Sequence, residues 1–199
     1  MKFTILDYSV GNLFSITNAF RKEGIDTVIS SSIRDLYESD AIILPGVGSF
    51  PAAMKKIKDI KKILIEIKKE KYFLGVCLGL QLFFENSTEG RTLTQGLGFL
   101  EGRVDELPDN VKKPHMGWNK VNDKGSILLE DVDFSYFYFA HSYIVFPKDE
   151  KIIKGSTYYG VEFPSIIEKD NIFGTQFHPE KSGKDGRKVI KNFIKKVRG

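Results

Sequence analysis

Before Gly90 the chain alternates short apolar runs with stretches of helical periodicity, and nothing else in it constrains the fold as strongly. Residues 3–8 (Phe-Thr-Ile-Leu-Asp-Tyr), 25–30, 41–44 (Ala-Ile-Ile-Leu) and 71–77 read as buried strands. Between them, Leu13, Ile16 and Phe20 recur at i, i+3 and i+7 within 11–23, and residues 54–69 keep helical spacing. Residues 78–85 place Leu80, Phe83 and Phe84 on one inward side of a further helix. Strand, helix and strand in succession build parallel βαβ units, so the expected fold is an α/β three-layer sandwich around a central, mostly parallel sheet. After Gly90 the pattern changes. Strand-like runs at 97–104, 119–121, 136–146, 152–159, 162–168 and 172–177 are expected as antiparallel additions in the C-terminal half. A closing helix over 185–197 carries Val189, Ile190, Phe193, Ile194 and Val197 as one apolar stripe. No linker-like or repetitive stretch interrupts this order, so residues 1–199 are expected to form a single domain.

Composition narrows the function classes. With 41% apolar and 28% charged residues the chain sits near the globular average, and charges break every apolar run well short of the roughly 18 residues a membrane helix needs. The 30 basic and 26 acidic residues leave a net charge of +4. The lysines cluster within 55–71 and 181–196 at helical spacing, which suits solvated helix faces better than a nucleic-acid stripe. Neither nucleic acid nor membrane is expected as a partner. Asp7 inside the first apolar segment, and the lack of a small-residue cleavage site, make that segment a first strand rather than a signal peptide, so a cytoplasmic address is expected.

The chain has one cysteine, which excludes an intrachain disulfide and leaves a buried filler, a free thiol or a nucleophile. Cys77 lies in Gly75-Val-Cys77-Leu-Gly79, between a predicted strand and a predicted helix. Glycines flank a nucleophile in this way when it sits on a sharp, strained turn that leaves no room for a neighbouring β-carbon. There the Leu78 amide would face an anion forming beside the sulfur. The bland alternative is a buried thiol between incidental glycines. A thiolate nucleophile works with a base, and the chain has three histidines, His115, His141 and His178. A zinc site built from all three is disfavoured by their long intervals. His178 stands in Gln176-Phe-His178-Pro-Glu180 at the end of an apolar run, where α/β folds place active groups. Pro179 is expected to keep the segment extended, so that Glu180, two residues on, projects beside the imidazole and completes a Cys-His-Glu triad. A surface histidine beside a solvated glutamate is the alternative. Pro45-Gly46-Val47-Gly48 also follows a predicted strand, and its glycines allow Val47 and Gly48 to present N–H groups to an oxyanion, although such a loop by itself is an ordinary turn.

These segments together resemble the class I (triad) glutamine amidotransferases, and more specifically the HisH family of glutaminase subunits. The resemblance runs through Asp7-Tyr-Ser-Val-Gly-Asn-Leu13, Pro45-Gly-Val-Gly-Ser-Phe50, Gly75-Val-Cys-Leu-Gly-Leu-Gln81, Gly96-Leu-Gly98, Pro114-His-Met-Gly-Trp-Asn119, Phe139-Ala-His-Ser-Tyr143 and Gln176-Phe-His-Pro-Glu-Lys-Ser182. Ser9 and Phe50 stand at variable motif positions; the triad shows no departure. The resemblance implies a flavodoxin-like fold and hydrolysis of L-glutamine through a Cys77 γ-glutamyl thioester, with His178 as acid and base and Glu180 orienting it. It implies that Gly46, Gln81, Glu89, Ser142 and Tyr143 hold glutamine, and it implies no metal and no organic cofactor. It also implies a heterodimer with a (β/α)8-barrel cyclase subunit of the HisF type, met near Asn12, Met116, Trp118, Asn119, Tyr138 and Lys181, which would use the ammonia to make imidazole glycerol phosphate and aminoimidazole carboxamide ribotide in histidine biosynthesis. Core burial is the alternative for Trp118. An alternative function is a paralogue feeding ammonia to a sugar-modifying enzyme of surface-polysaccharide synthesis; a cysteine hydrolase of related fold and an inert regulatory module are further ones.

Overall fold

A computed structural model describes residues 1–8, 13–90 and 92–199. In chain order the elements are β1 (Phe3–Leu6), α1 (Leu13–Lys22), β2 (Thr27–Ser30), α2 (Ile33–Glu38), β3 (Ala41–Leu44), α3 (Phe50–Ile57), α4 (Lys61–Ile67), β4 (Tyr72–Val76) and α5 (Leu78–Leu82). There follow β5 (Phe84–Ser87), β6 (Thr94–Gln95), β7 (Leu100–Glu106), β8 (His115–Lys120), β9 (Asn122–Asp123), β10 (Tyr136–His141) and β11 (Tyr143–Pro147). The chain closes with β12 (Ile153–Tyr158), β13 (Glu162–Lys169), β14 (Ile172–Thr175) and α6 (Gly183–Arg198).

β1 and β3 are buried at every position, as strands covered on both faces must be. They lie inside an eight-stranded sheet of order β2-β1-β3-β4-β14-β13-β12-β9. Pairing is parallel from β2 through β14 and antiparallel from β14 to β9. On one face Phe3, Ile5 and Leu74 pack against Ile16 and Phe20 of α1, the apolar stripe of α6, and Phe137 and Phe139 of β10. On the other face Ile42, Leu44 and Phe73 meet α2 through α5. That is the expected three-layer sandwich. Twelve of the 16 phenylalanines are fully buried, each worth roughly 1.5–3 kcal/mol, so neither face depends on a single side chain.

Several local expectations change. The run 54–69 is two helices, α3 and α4, and α3 begins earlier, at Phe50. The helix expected over 78–85 stops at Leu82 and continues as β5, because Phe83 stacks on Phe99 while Phe84 enters a strand pair with Leu100. Not all later strands extend the central sheet. β11, β7, β5 and β6 form a separate four-stranded sheet, and β8 and β10 a two-stranded ribbon. The run 136–146 breaks at Ser142, which sends β10 to the ribbon and β11 to the second sheet. Helix α2 answers to a signal that periodicity misses, a Ser32 cap whose hydroxyl accepts the Asp35 N–H.

Candidate active site

The C-terminal ends of β1, β3, β4 and β14 meet at one crest and deliver Tyr8, the Pro45–Gly48 loop, Cys77 and His178 to the same place. Cys77 leaves β4 and caps α5 with φ +53° and ψ −105°, a conformation costing a residue with a side chain roughly 1–3 kcal/mol. Its N–H donates to the Thr175 carbonyl at 2.7 Å, which fastens the turn to β14. The flanking glycines are required by close approach. A β-carbon on Gly75 would lie 2.5 Å from the Leu80 nitrogen, and one on Gly79 would lie 1.8 Å from the Leu44 oxygen.

His178 is 1% exposed, and its Nδ1 stands 2.9 Å from Glu180 Oε1. The route differs from the extended one expected: His178 itself is extended, but Pro179–Lys181 is a single 3-10 turn that curls Glu180 back under the ring. The His178 N–H donates to the Tyr138 carbonyl, and the Ser182 hydroxyl donates to the His178 carbonyl, so its backbone is held from both sides. Among the described residues Nε2 has no other hydrogen-bond partner and is left to the Cys77 sulfur. Burial alone would lower the pKa of His178, but the Cys77 sulfur as a thiolate and the Glu180 carboxylate outweigh it and push the pKa up to about 10. The imidazole is therefore placed to carry a proton between the sulfur and a third molecule.

A cavity of about 230 Å³ opens onto Cys77. One wall is Gly46, Val47 and Gly48, facing Leu78; the other residues expected to hold glutamine, Gln81, Glu89, Ser142 and Tyr143, complete the lining with Pro114, Ala140 and His141. Gly46 has no room for a side chain, since its β-carbon would lie 2.5 Å from Leu78 Cβ. Gly48 takes φ +119°, and the buried Tyr8 hydroxyl donates to the Pro45 carbonyl at the base of this loop. Glu89 accepts the Phe50 N–H at 2.7 Å; burial raises its pKa against that bond, so a cation would be a favourable partner. Gln81 directs Nε2 at the Tyr143 carbonyl, 2.9 Å, and at Gln176 Oε1, 3.4 Å, which leaves its oxygen for a ligand.

The residues expected at an interface separate into two kinds. Met116 and Trp118 on β8 are 64% and 57% exposed, so core burial of the tryptophan is excluded. Tyr138 pairs across the ribbon with Trp118, ring to ring at 6.3 Å, and Lys181 Nζ lies 5.8 Å from the centre of the Tyr138 ring. Asn119 is half-buried and turns inward, and Asn12 lies outside the described residues. Reading the sequence missed the buried pair His115 and His141, whose rings meet at 3.1 Å beside the cavity, and also Gln176, whose amide nitrogen is 3.6 Å from Cys77 Sγ. Only their adjacency to the recognised motifs pointed to them.

Comparison with known proteins agrees with this geometry. The family model described as glutamine amidotransferase class-I matches residues 4–197. The imidazole glycerol phosphate synthase subunit HisH of Methanocaldococcus jannaschii is 49% identical over 193 residues, 96% of this chain and 97% of that protein. The subunit of the same name from Sulfolobus acidocaldarius is 44% identical over 201 residues and is covered, like this chain, to 100%. Among solved structures, one described as a glutamine amidotransferase superposes with a TM-score of 0.78 at 15% identity, over 98% of this chain and 99% of that one, a likeness of fold.

Proposed function

The chain belongs to the class-I glutamine amidotransferase family, and from that membership we propose that it is the glutaminase subunit of an imidazole glycerol phosphate synthase, which hydrolyses L-glutamine and passes ammonia to a partner subunit. One observation carries the reading: a strained Cys77 meets a His178 whose Nδ1 is held by Glu180 and whose Nε2 has no other use.

The Cys77 thiolate attacks the side-chain amide carbon of glutamine. The tetrahedral oxyanion is received by the Leu78 N–H and by an N–H of the Val47–Gly48 segment, where one well-placed donor is worth roughly 10²–10³ in rate. His178 gives its proton to the departing ammonia and leaves a γ-glutamyl thioester. A water then loses a proton to His178 and attacks the thioester, which releases glutamate and restores the thiolate. Glu180 keeps the N–H of His178 on Nδ1 throughout. Glu89 complements the substrate α-ammonium group, with Gly46, Gln81, Ser142 and Tyr143 around the rest. Every step is nucleophilic or acid–base chemistry supplied by the chain's own groups.

The partner is a (β/α)8-barrel cyclase subunit of the HisF type, in the cytoplasm, and the heterodimer makes imidazole glycerol phosphate and aminoimidazole carboxamide ribotide. The exposed Met116, Trp118 and Lys181 around the half-buried Tyr138, with Asn119 at their edge, are the surface it covers. The names of the relatives favour this pathway over the sugar-modifying alternative. Binding of the partner and its nucleotide aligns the Val47–Gly48 amides. The test is glutamine hydrolysis with and without the barrel subunit and its nucleotide ligand: strong stimulation by both is expected, and no hydrolysis under any of these conditions overturns the reading.

A further inference from the structure

The mechanism leaves three buried polar side chains beside the nucleophile unused: His115, His141 and Gln176. They belong to one line of contacts. Asn119 Nδ2 is 3.2 Å from His115 Nε2, His115 Nδ1 is 3.1 Å from His141 Nε2, and His141 Nδ1 is 3.0 Å from the Tyr143 carbonyl. From that carbonyl the line continues through Gln81 Nε2 and Gln176 Oε1 to Gln176 Nε2 and the sulfur of Cys77.

The direction of every bond follows from the carbonyls, which can only accept. Because the Tyr143 oxygen accepts, His141 carries its hydrogen on Nδ1 and offers Nε2 as a lone pair. His115 must then donate from Nδ1 and accept at Nε2, so Asn119 must present its NH2 group. The second hydrogen of that group goes to the Tyr158 carbonyl at 3.0 Å, another acceptor. On the other side the Tyr143 oxygen calls for the NH2 of Gln81, whose second hydrogen goes to Gln176 Oε1. Only the NH2 of Gln176 is left to face Cys77. Both histidines must be neutral, since an extra hydrogen on either would oppose donor to donor. Burial agrees, because it lowers His115 to about 4 and, with repulsion from His115, lowers His141 to about 3.

We propose that Gln176 is the hydrogen-bond donor that positions the Cys77 sulfur, and that its amide is aimed there by the Tyr143 carbonyl through Gln81, while Asn119, His115 and His141 converge on the same carbonyl from the other side and hold it in place. The proposal rests on Cys77 being the nucleophile. The sulfur also meets the Ala140 carbonyl at 3.8 Å, which suits a thiol and repels a thiolate. The Gln176 N–H favours the thiolate. Among the described residues the titratable groups that face Cys77 are His178, backed by Glu180, and Tyr8; those that face the histidine pair are His178 and Tyr159, whose ring stacks on His115 at 4.1 Å.

The test is the pH profile of Cys77 alkylation by iodoacetamide in the full chain without glutamine, read by intact mass. Gln176→Glu keeps an acceptor for Gln81 and replaces the donor by a carboxylate oxygen; Gln176→Leu removes both. Each should move the profile about one pH unit to the alkaline side while near-UV circular dichroism stays that of the wild type. Superimposable profiles overturn the proposal. Should the leucine variant not fold, the isostere and Asn119→Asp, at the half-buried outer end, still decide. Nitrogen-15 NMR of the wild type should find His115 and His141 protonated at Nδ1 at pH 7. Asn119→Asp should move both hydrogens to Nε2, which sets the His141 Nδ1 lone pair against the Tyr143 carbonyl, loosens that carbonyl's hold on Gln81 and slows alkylation roughly threefold. Wild-type histidines protonated at Nε2 overturn the holding of that carbonyl by His141. These readouts need neither glutamine nor a partner, so an absence of glutamine turnover defeats the functional reading separately. Normal turnover with unmoved alkylation profiles defeats only the positioning role.

Discussion

His178 and His141 are 1% and 5% exposed, yet the first is pushed up to about 10 and the second down to about 3. Burial lowers both. His178, at the end of the parallel strand β14, also faces a sulfur that can ionise and a carboxylate, Glu180, at 2.9 Å. His141, at the end of the ribbon strand β10, hydrogen-bonds a backbone carbonyl and a second neutral ring, and the charge on His178 lowers it further. Two equally dry sites thus support opposite chemistry: one stabilises a charge and can move a proton, while the other keeps its rings neutral and can only hold direction.

The largest break in this comparison comes from the nucleophile. Cys77→Ala or Cys77→Ser should lower glutamine hydrolysis by at least roughly four orders of magnitude with the melting temperature little changed. Retained turnover would end the triad assignment. Glu180→Gln makes His178 more like His141, because it removes the charge behind the ring; glutaminase rate should fall roughly 10²–10⁴-fold, and a titration of His178 by NMR should find its pKa lowered.

Stability against pH separates the two regions next. His141 binds its proton near 6.5 when unfolded but only near 3 when folded, so the unfolded chain takes up the proton first as pH falls, and stability is lost from about pH 6.5 downward. At pH 5 this amounts to about 2 kcal/mol. His178 has the opposite sign: its contribution is complete below its unfolded value of 6.5 and disappears as pH rises through about 10. Thermal melts between pH 7 and 5 should show a fall in the wild type and a flatter line in His141→Gln; a flat wild-type line contradicts a neutral, buried pair. The smallest effect on the isolated chain belongs to Trp118→Ala, within about 0.5 kcal/mol for an exposed residue, while binding to the barrel subunit measured by calorimetry should weaken about 30-fold.

The parallel half was legible because its signals are local. Runs such as 41–44 and 71–77 end at glycines, and those glycines are where the backbone of one segment touches another, as Gly79 touches Leu44. Cys77 and the Gly46–Gly48 loop follow from these segments, whereas Gln81, Glu89, Ser142 and Tyr143 came from the family resemblance alone. The ribbon was not legible in the same way. His115 and His141 lie 26 residues apart and become partners only through the antiparallel register that pairs them, which no local pattern encodes. The return of Phe84 as a strand likewise depends on its pairing with Leu100 beside the stacked Phe83 and Phe99, a tertiary effect that overrides helical spacing. Pro179 predicted an extended chain at His178 correctly, but the curl that brings Glu180 back is a property of the next three residues together.

The central claim, that Cys77 forms the covalent intermediate with His178 and Glu180 behind it, is tested most directly by trapping. The complex of this chain with its barrel subunit and nucleotide ligand would be mixed with glutamine, quenched in acid within a turnover, digested and weighed. A γ-glutamyl adduct on the peptide bearing Cys77, absent from Cys77→Ser and formed far more slowly in Glu180→Gln, is the predicted result. Glutamine turnover with no adduct, or an adduct on any other residue, would contradict it.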